Sequence, residues 1–259
     1  MAKMRQPKSG NQGQTNKHML LRSANPALSS KTFQGLPQTS GRRMTVDGTV
    51  NRIGLSLGIL LFFGYITFTL EITGLILVGF IGGLILALIT IFKKHLAPKT
   101  VPIYAALEGV ALGGISYIFN EQFEGIVLQA ISLTAGILFS LLLAYKSGLI
   151  KVTENFKLGI AAATGGIFVV YMISFVMSLF GGGLSIMSST NGSLFSIGFS
   201  LVVVVIASLN LVLDFDFIEE GAEKGAPQYM EWYGAFGLLV TLIWLYIEIL
   251  HLLAKIRSR

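Results

Sequence analysis

Apolar residues run through this chain in long, almost unbroken stretches. Past position 50 seven of them follow one another, at about 52–70, 72–92, 101–119, 126–145, 158–180, 193–213 and 233–254. Each approaches the ~20 residues that a helix needs to cross hydrocarbon. None alternates strictly, and each is about twice the length of a barrel strand. Helices are then the element that satisfies its own backbone in lipid. The pattern predicts an all-α, polytopic membrane protein with seven transmembrane helices, occupying residues 51–255 behind a polar leader at 1–50.

That leader is rich in Ser, Gln, Asn, Gly and basic residues and holds too little apolar surface to repay the entropy of ordering, which predicts that it is largely disordered. It also lacks the apolar core of a secretory signal, so no cleaved signal is expected. Thr45 or Asp47 can cap the first helix.

Composition agrees with the pattern. The chain is 53% hydrophobic and only 12% charged, against ~25% charged residues in soluble domains. It has no cysteine, which excludes disulfides and thiolate metal sites. The net charge of +6 is not a nucleic-acid signature and implies no nucleic-acid partner, because about half of the Lys and Arg residues precede the first apolar run. Basic flanks orient membrane proteins instead. The leader, Lys93, Lys94 and Lys99, and the connection from Lys146 to Lys157 are basic, whereas Glu71, the Glu121/Glu124 turn and the 181–193 connection are not. This places the N-terminus in the cytoplasm. Alternation then sends the tail outside, yet the tail carries Lys255, Arg257 and Arg259 while the inside connection at 217–232 is acidic. A re-entrant last segment that keeps both ends inside is the other topology consistent with these charges.

Chemistry must reside on the few polar groups inside the spans, where an ionisable side chain costs roughly 2.5 to 3.5 kcal/mol even on lenient insertion scales. In the sixth segment Asp214 shares a helical face with Asn210 and Ala207, whereas Asp216 falls with Val212, Leu209 and Val205. The small, polar face is the one suited to the interior, which favours Asp214 and leaves Asp216 nearer the headgroups. In the last segment Gly237, Thr241, Trp244, Glu248, His251 and Lys255 form one stripe at spacings of three and four. Glu248 and His251 can bind a cation, relay protons or simply neutralise each other. Glu108, followed by Gly109, sits inside the third span as a proton or gating candidate, or as a protonated packing residue. Gly79/Gly83, Gly109/Gly113 and Ala161/Gly165 place small residues four apart, as close helix packing requires. Ser116 has no histidine on a neighbouring span except His251, and no HExxH motif occurs, so no enzymatic activity is expected.

The ending Leu245-Tyr246-Ile247-Glu248-Ile249-Leu250-His251-Leu252-Leu253, the Glu108-Gly109 step in a glycine-rich third span and the acidic end of the sixth resemble the Bax inhibitor-1 superfamily from about Thr45 to Lys255. The long basic leader with Ser23-Ala24-Asn25-Pro26-Ala27-Leu28 is similar to the bacterial branch, which implies a bacterial inner membrane. The resemblance implies a seven-helix protein that leaks calcium under pH control, with acidic residues on the last two helices serving as latch and sensor. Those positions fall on Glu248, where aspartate is common in the family, and on Asp214 or Asp216.

Helix geometry opposes a direct latch. If the sixth helix ends near Asp214 and the seventh begins near Tyr233, Glu248 lies about 22 Å along its helix. Pairing needs a sixth helix that continues well past Asp214, or a seventh that starts deeper; otherwise Glu108 is the nearer partner of Asp214. Close carboxylates share a proton or take a divalent cation. Calcium wants about six to eight oxygen ligands, so Asn210, water or carbonyls must complete any such site, and its calcium is transient rather than a tightly bound cofactor. The other reading is a membrane-embedded partner of a membrane protease or chaperone, docking through the leader and the acidic 217–232 connection. A proton-coupled transporter would use the same intramembrane acids.

Overall fold

A computed structural model describes residues 42–259; the expectation of a disordered leader concerns, for residues 1–41, a part of the chain outside the described residues. Seven helices follow: α1 (Val46–Thr69), α2 (Ile76–Phe92), α3 (Ala97–Gln122), α4 (Ile126–Lys146), α5 (Glu154–Leu179), α6 (Leu194–Glu223) and α7 (Met230–Arg257). With the single helical turns that adjoin α2 and α3, each is long and apolar enough to cross a membrane.

Several helices begin where short polar side chains satisfy the free backbone donors of the first turn. Thr45 accepts from Gly48 N at 3.0 Å, Thr153 from Phe156 N at 3.2 Å and Ser193 from Ser196 N at 3.3 Å. Most helices outrun their apolar cores, α3, α5 and α6 among them. α3 starts at Ala97 rather than near 101, since Pro98 sits in the first turn, where a missing N–H is no loss. α5 starts at Glu154. α6 continues nine residues past Asp214, to Glu223, and stops at Gly225 with φ +61°. There Gly225 N bonds Ala222 O and Ala226 N bonds Gly221 O, both at 3.0 Å, a Schellman closure. Hydropathy locates the lipid-matched part of a helix, and the acidic last turns of α6 lie beyond it.

α7 is the axis of the bundle. It packs against α6, α1, α4 and α3, and Phe236, Leu238, Leu239, Leu245, Ile249 and Leu250 are all essentially inaccessible. α1 and α2 both lie on α3 through glycines. A Cβ on Gly109 or Gly113 would meet the carbonyl oxygens of Leu60 and Gly64, and one on Gly79 would lie 2.6 Å from Leu107 O. Two of the three small-residue pairs therefore serve close packing. The third does not, since nothing lies within 4 Å of a Cβ on Gly165. α5 is outermost and buries only Ile160 and Ile167.

The chain entering α1 is fastened to the turn between α6 and α7. Arg43 and Pro227 form an antiparallel bridge, Met44 N donates to Ala226 O at 2.7 Å, and Gln228 N donates to Arg42 O at 3.1 Å. Glu231, buried in the first turn of α7, accepts from Thr45 N at 3.2 Å and from Thr45 Oγ1 at 3.1 Å. Arg52 stands 3.9 Å from the same carboxylate and 5.0 Å over the Trp232 ring. The first and last spans thus share a joint at this end of the bundle, the leader end.

Candidate functional site

α6 and α7 run antiparallel, and their facing surfaces hold the polar groups singled out in the sequence. Asp214 is fully buried, and neither carboxylate oxygen has a hydrogen-bond partner among the described residues. Thr241 on α7 is the hydroxyl beside it, but that hydroxyl donates to Gly237 O at 3.3 Å. Asp214 lies about 14 Å in from the leader end of α6 and Thr241 about 16 Å in from the start of α7, so the two are level near the middle of the bundle.

Glu248 occupies a different depth. It lies two turns beyond Thr241, about 10 Å farther from the leader end. Its Oε1 accepts from the Tyr171 hydroxyl of α5 and from Trp244 Nε1, the latter at 3.1 Å. The extension of α6 reduces the depth offset from the about 22 Å that the apolar runs imply to about 13 Å, yet leaves the two acids apart. Among the described residues, no hydrogen bond or ion pair joins any two of Asp214, Glu248 and Glu108. No latch between Asp214 and Glu248 is made in this structure.

The other candidates disperse in the same way. Asp216 is turned away from Asp214, partly exposed, and paired with Lys157 at 2.5 Å, beside Glu219, Glu220 and Glu223. Asn210 is buried but reaches α5, where its amide donates to Thr164 Oγ1 at 2.9 Å and also to Ile206 O at 2.9 Å. Glu108 is buried against Gly83 of α2, whose missing Cβ leaves room for its carboxylate. Glu108 is thus not a near partner of Asp214. His251 packs at a tilt of 53° against Phe119, with ring centroids 5.6 Å apart, and makes no ion pair with Glu248. Among the described residues no cluster of three or more His, Asp or Glu side chains converges as a metal site, so Asp214, Asp216 and Glu248 do not form one joint calcium site in this conformation. Ser116 meets the Tyr246 hydroxyl at 2.6 Å.

The inward stripe on α7 is real and ends on a residue whose role the sequence did not disclose. Lys255 is 2% exposed. Its ammonium donates to Ile186 O at 2.6 Å and to Ser200 Oγ at 2.8 Å. Arg257 donates to Glu124 O at 2.8 Å and to Gln129 Oε1 at 2.9 Å. The basic tail that strains the charge-orientation rule is therefore engaged structurally, binding α7 to the α5–α6 and α3–α4 connections. Tyr171, flanked by the apolar Val170 and Met172 on α5, is the other residue whose role the sequence does not disclose. Nothing in its own segment indicates that it reaches Glu248.

A membrane bundle organised around its own last helix, with two carboxylates and a lysine stepped along that helix's inward side, defines a polytopic integral membrane protein with an intramembrane polar track. The match to the family described as Bax inhibitor 1 like covers residues 25–258, and the chain belongs to that family. No curated protein and no solved structure matches it.

Proposed function

We propose that the protein is a pH-sensitive calcium leak of a bacterial inner membrane, in which Asp214 and Glu248 act as successive stations rather than as a latch. The observation that carries this reading is Asp214 itself, inaccessible and at mid-depth, with both oxygens unpartnered among the described residues. Such a group is retained at a cost, and ionisable residues inside membranes mark ion and proton paths. One carboxylate with a threonine beside it falls far short of the six to eight oxygens calcium prefers, so an ion there keeps water and passes on. Protons compete for the same oxygens.

Glu248 is the gated station. Its occupied oxygen is held by Tyr171 and Trp244, and α5 buries only two of its own residues, so withdrawal of Tyr171 releases one of the two donors without unpacking the core. The basic connections and the entry to α1 lie at one end of the bundle, the end this reading assigns to the cytoplasm.

Calcium uptake into dye-loaded liposomes, followed from mildly acidic to mildly alkaline pH, tests the proposal. Asp214→Asn is expected to abolish most of the flux, and Tyr171→Phe to raise flux at the alkaline end, where fewer protons compete for the released Glu248. Unchanged flux in both Asp214→Asn and Glu248→Gln would remove the acids from the path.

A further inference from the structure

A groove with a volume of about 660 Å³ runs between α1 and α4, on a different face of α7 from the acids. Its floor is α3 and α7, and its walls are Leu57 to Phe68 on one side and Gly125 to Phe139 on the other. The two hydroxyls on the floor, Ser116 and Tyr246, satisfy each other at 2.6 Å, so apart from Asn120 at its end the floor offers only carbon to an occupant. We infer that this groove is a phospholipid site, holding one acyl chain of the leaflet at the C-terminal end with the lipid phosphate at Arg257.

Length, lining and charge select that occupant. Along α1 the groove extends about 16 Å, from Leu57 to Phe68. This is close to ~15 Å, half of a ~30 Å hydrocarbon core and hence the reach of one leaflet's chain. Over that length the lining is Leu, Ile, Val, Phe, Ala and Gly almost throughout, the surface that an extended acyl chain buries. At the mouth, beside Gly125, Arg257 uses one N–H of each of two nitrogens on Glu124 O and Gln129 Oε1. Of the five donors on a guanidinium, three remain to face a phosphate. The groove opens sideways between spanning helices, where the surrounding medium is itself lipid.

The test is photolabelling of the full-length protein in phosphatidylcholine liposomes containing phosphatidylglycerol with a mid-chain diazirine. Labelling is expected to saturate and to concentrate on residues 57–68 and 125–139. Ala135→Trp, which fills the groove, is expected to cut that labelling by about tenfold while labelling of α2 and α5 stays constant, as a loss of chain burial on this scale requires. Leu61→Trp, on the opposite wall, supplies the same test should Ala135→Trp fail to fold. Arg257→Gln is expected to raise the probe concentration needed for half-saturation severalfold. Even labelling of every lipid-facing helix, insensitivity to both tryptophans, or a dimer cross-linked through α1 and α4 would overturn the assignment. Because the groove and the acids are separate, the calcium measurement and this one can fail independently.

Discussion

Asp214 and Glu248 differ less in burial than in company. Glu248 has two donors on one oxygen, while Asp214 has none. A buried polar group without partners costs about 1–3 kcal/mol, more when charged. Asp214→Leu is therefore expected to stabilise the bundle by about that amount, even as it removes flux. Thermal unfolding in micelles measures it, and a lower midpoint would mean that the carboxylate is held by something the variant loses. Lys255→Met keeps the bulk but strands Ile186 O and Ser200 Oγ, for an expected loss of about 1–3 kcal/mol. Faster amide exchange confined first to residues 180–193 is the signature, because that connection loses its tether to α7. Helical spacing sufficed to place Asp214 and Asn210 on the inner face, to turn Asp216 outward and to draw the stripe on α7. It could not find Tyr171 or the anchoring of Lys255, since both depend on which helices become neighbours.

At the level of helices, the apolar runs located every span but not every end. The runs stop where lipid stops, whereas α6 stops where Gly225 reverses the backbone. Those nine further residues decide how the acids align. Glycine spacing was equally double-edged, since Gly109 and Gly113 bring α1 onto α3 while Gly165 faces open space. Gly113→Ala would drive a methyl into the carbonyl of Gly64 and to 2.9 Å from Thr67 Cβ, for an expected loss of about 1–3 kcal/mol. Gly136→Ala on α4, with nothing within 4 Å, is expected to be neutral or to stabilise by about 0.4–1 kcal/mol. Paired denaturation curves decide the matter, and equal effects would show that α1 yields to α3 freely.

For the whole molecule, hydropathy counts the spans without ranking them. That α7 is the axis emerges only from packing, although its polar stripe, absent from the more uniformly apolar α2, was the visible hint. α7 is one continuous helix of 28 residues, about 42 Å long, beginning at the joint with Arg43 and ending at Arg257. A helix of this length is long enough for a complete crossing, which predicts that the two ends of the bundle's chain lie on opposite sides. Tags before Arg42 and after Arg259 are expected to react from opposite sides of sealed vesicles, and same-side reactivity would contradict a complete last crossing.

The joint between Thr45 and Glu231 reaches across almost the entire order of synthesis. α1 leaves the ribosome first, yet the carboxylate that receives its capping threonine belongs to the helix delivered last. Six spans must wait in the bilayer around a vacancy until that final helix arrives to fill it. A chain stopped after Glu223 lacks its axis and offers quality-control proteases an open ring.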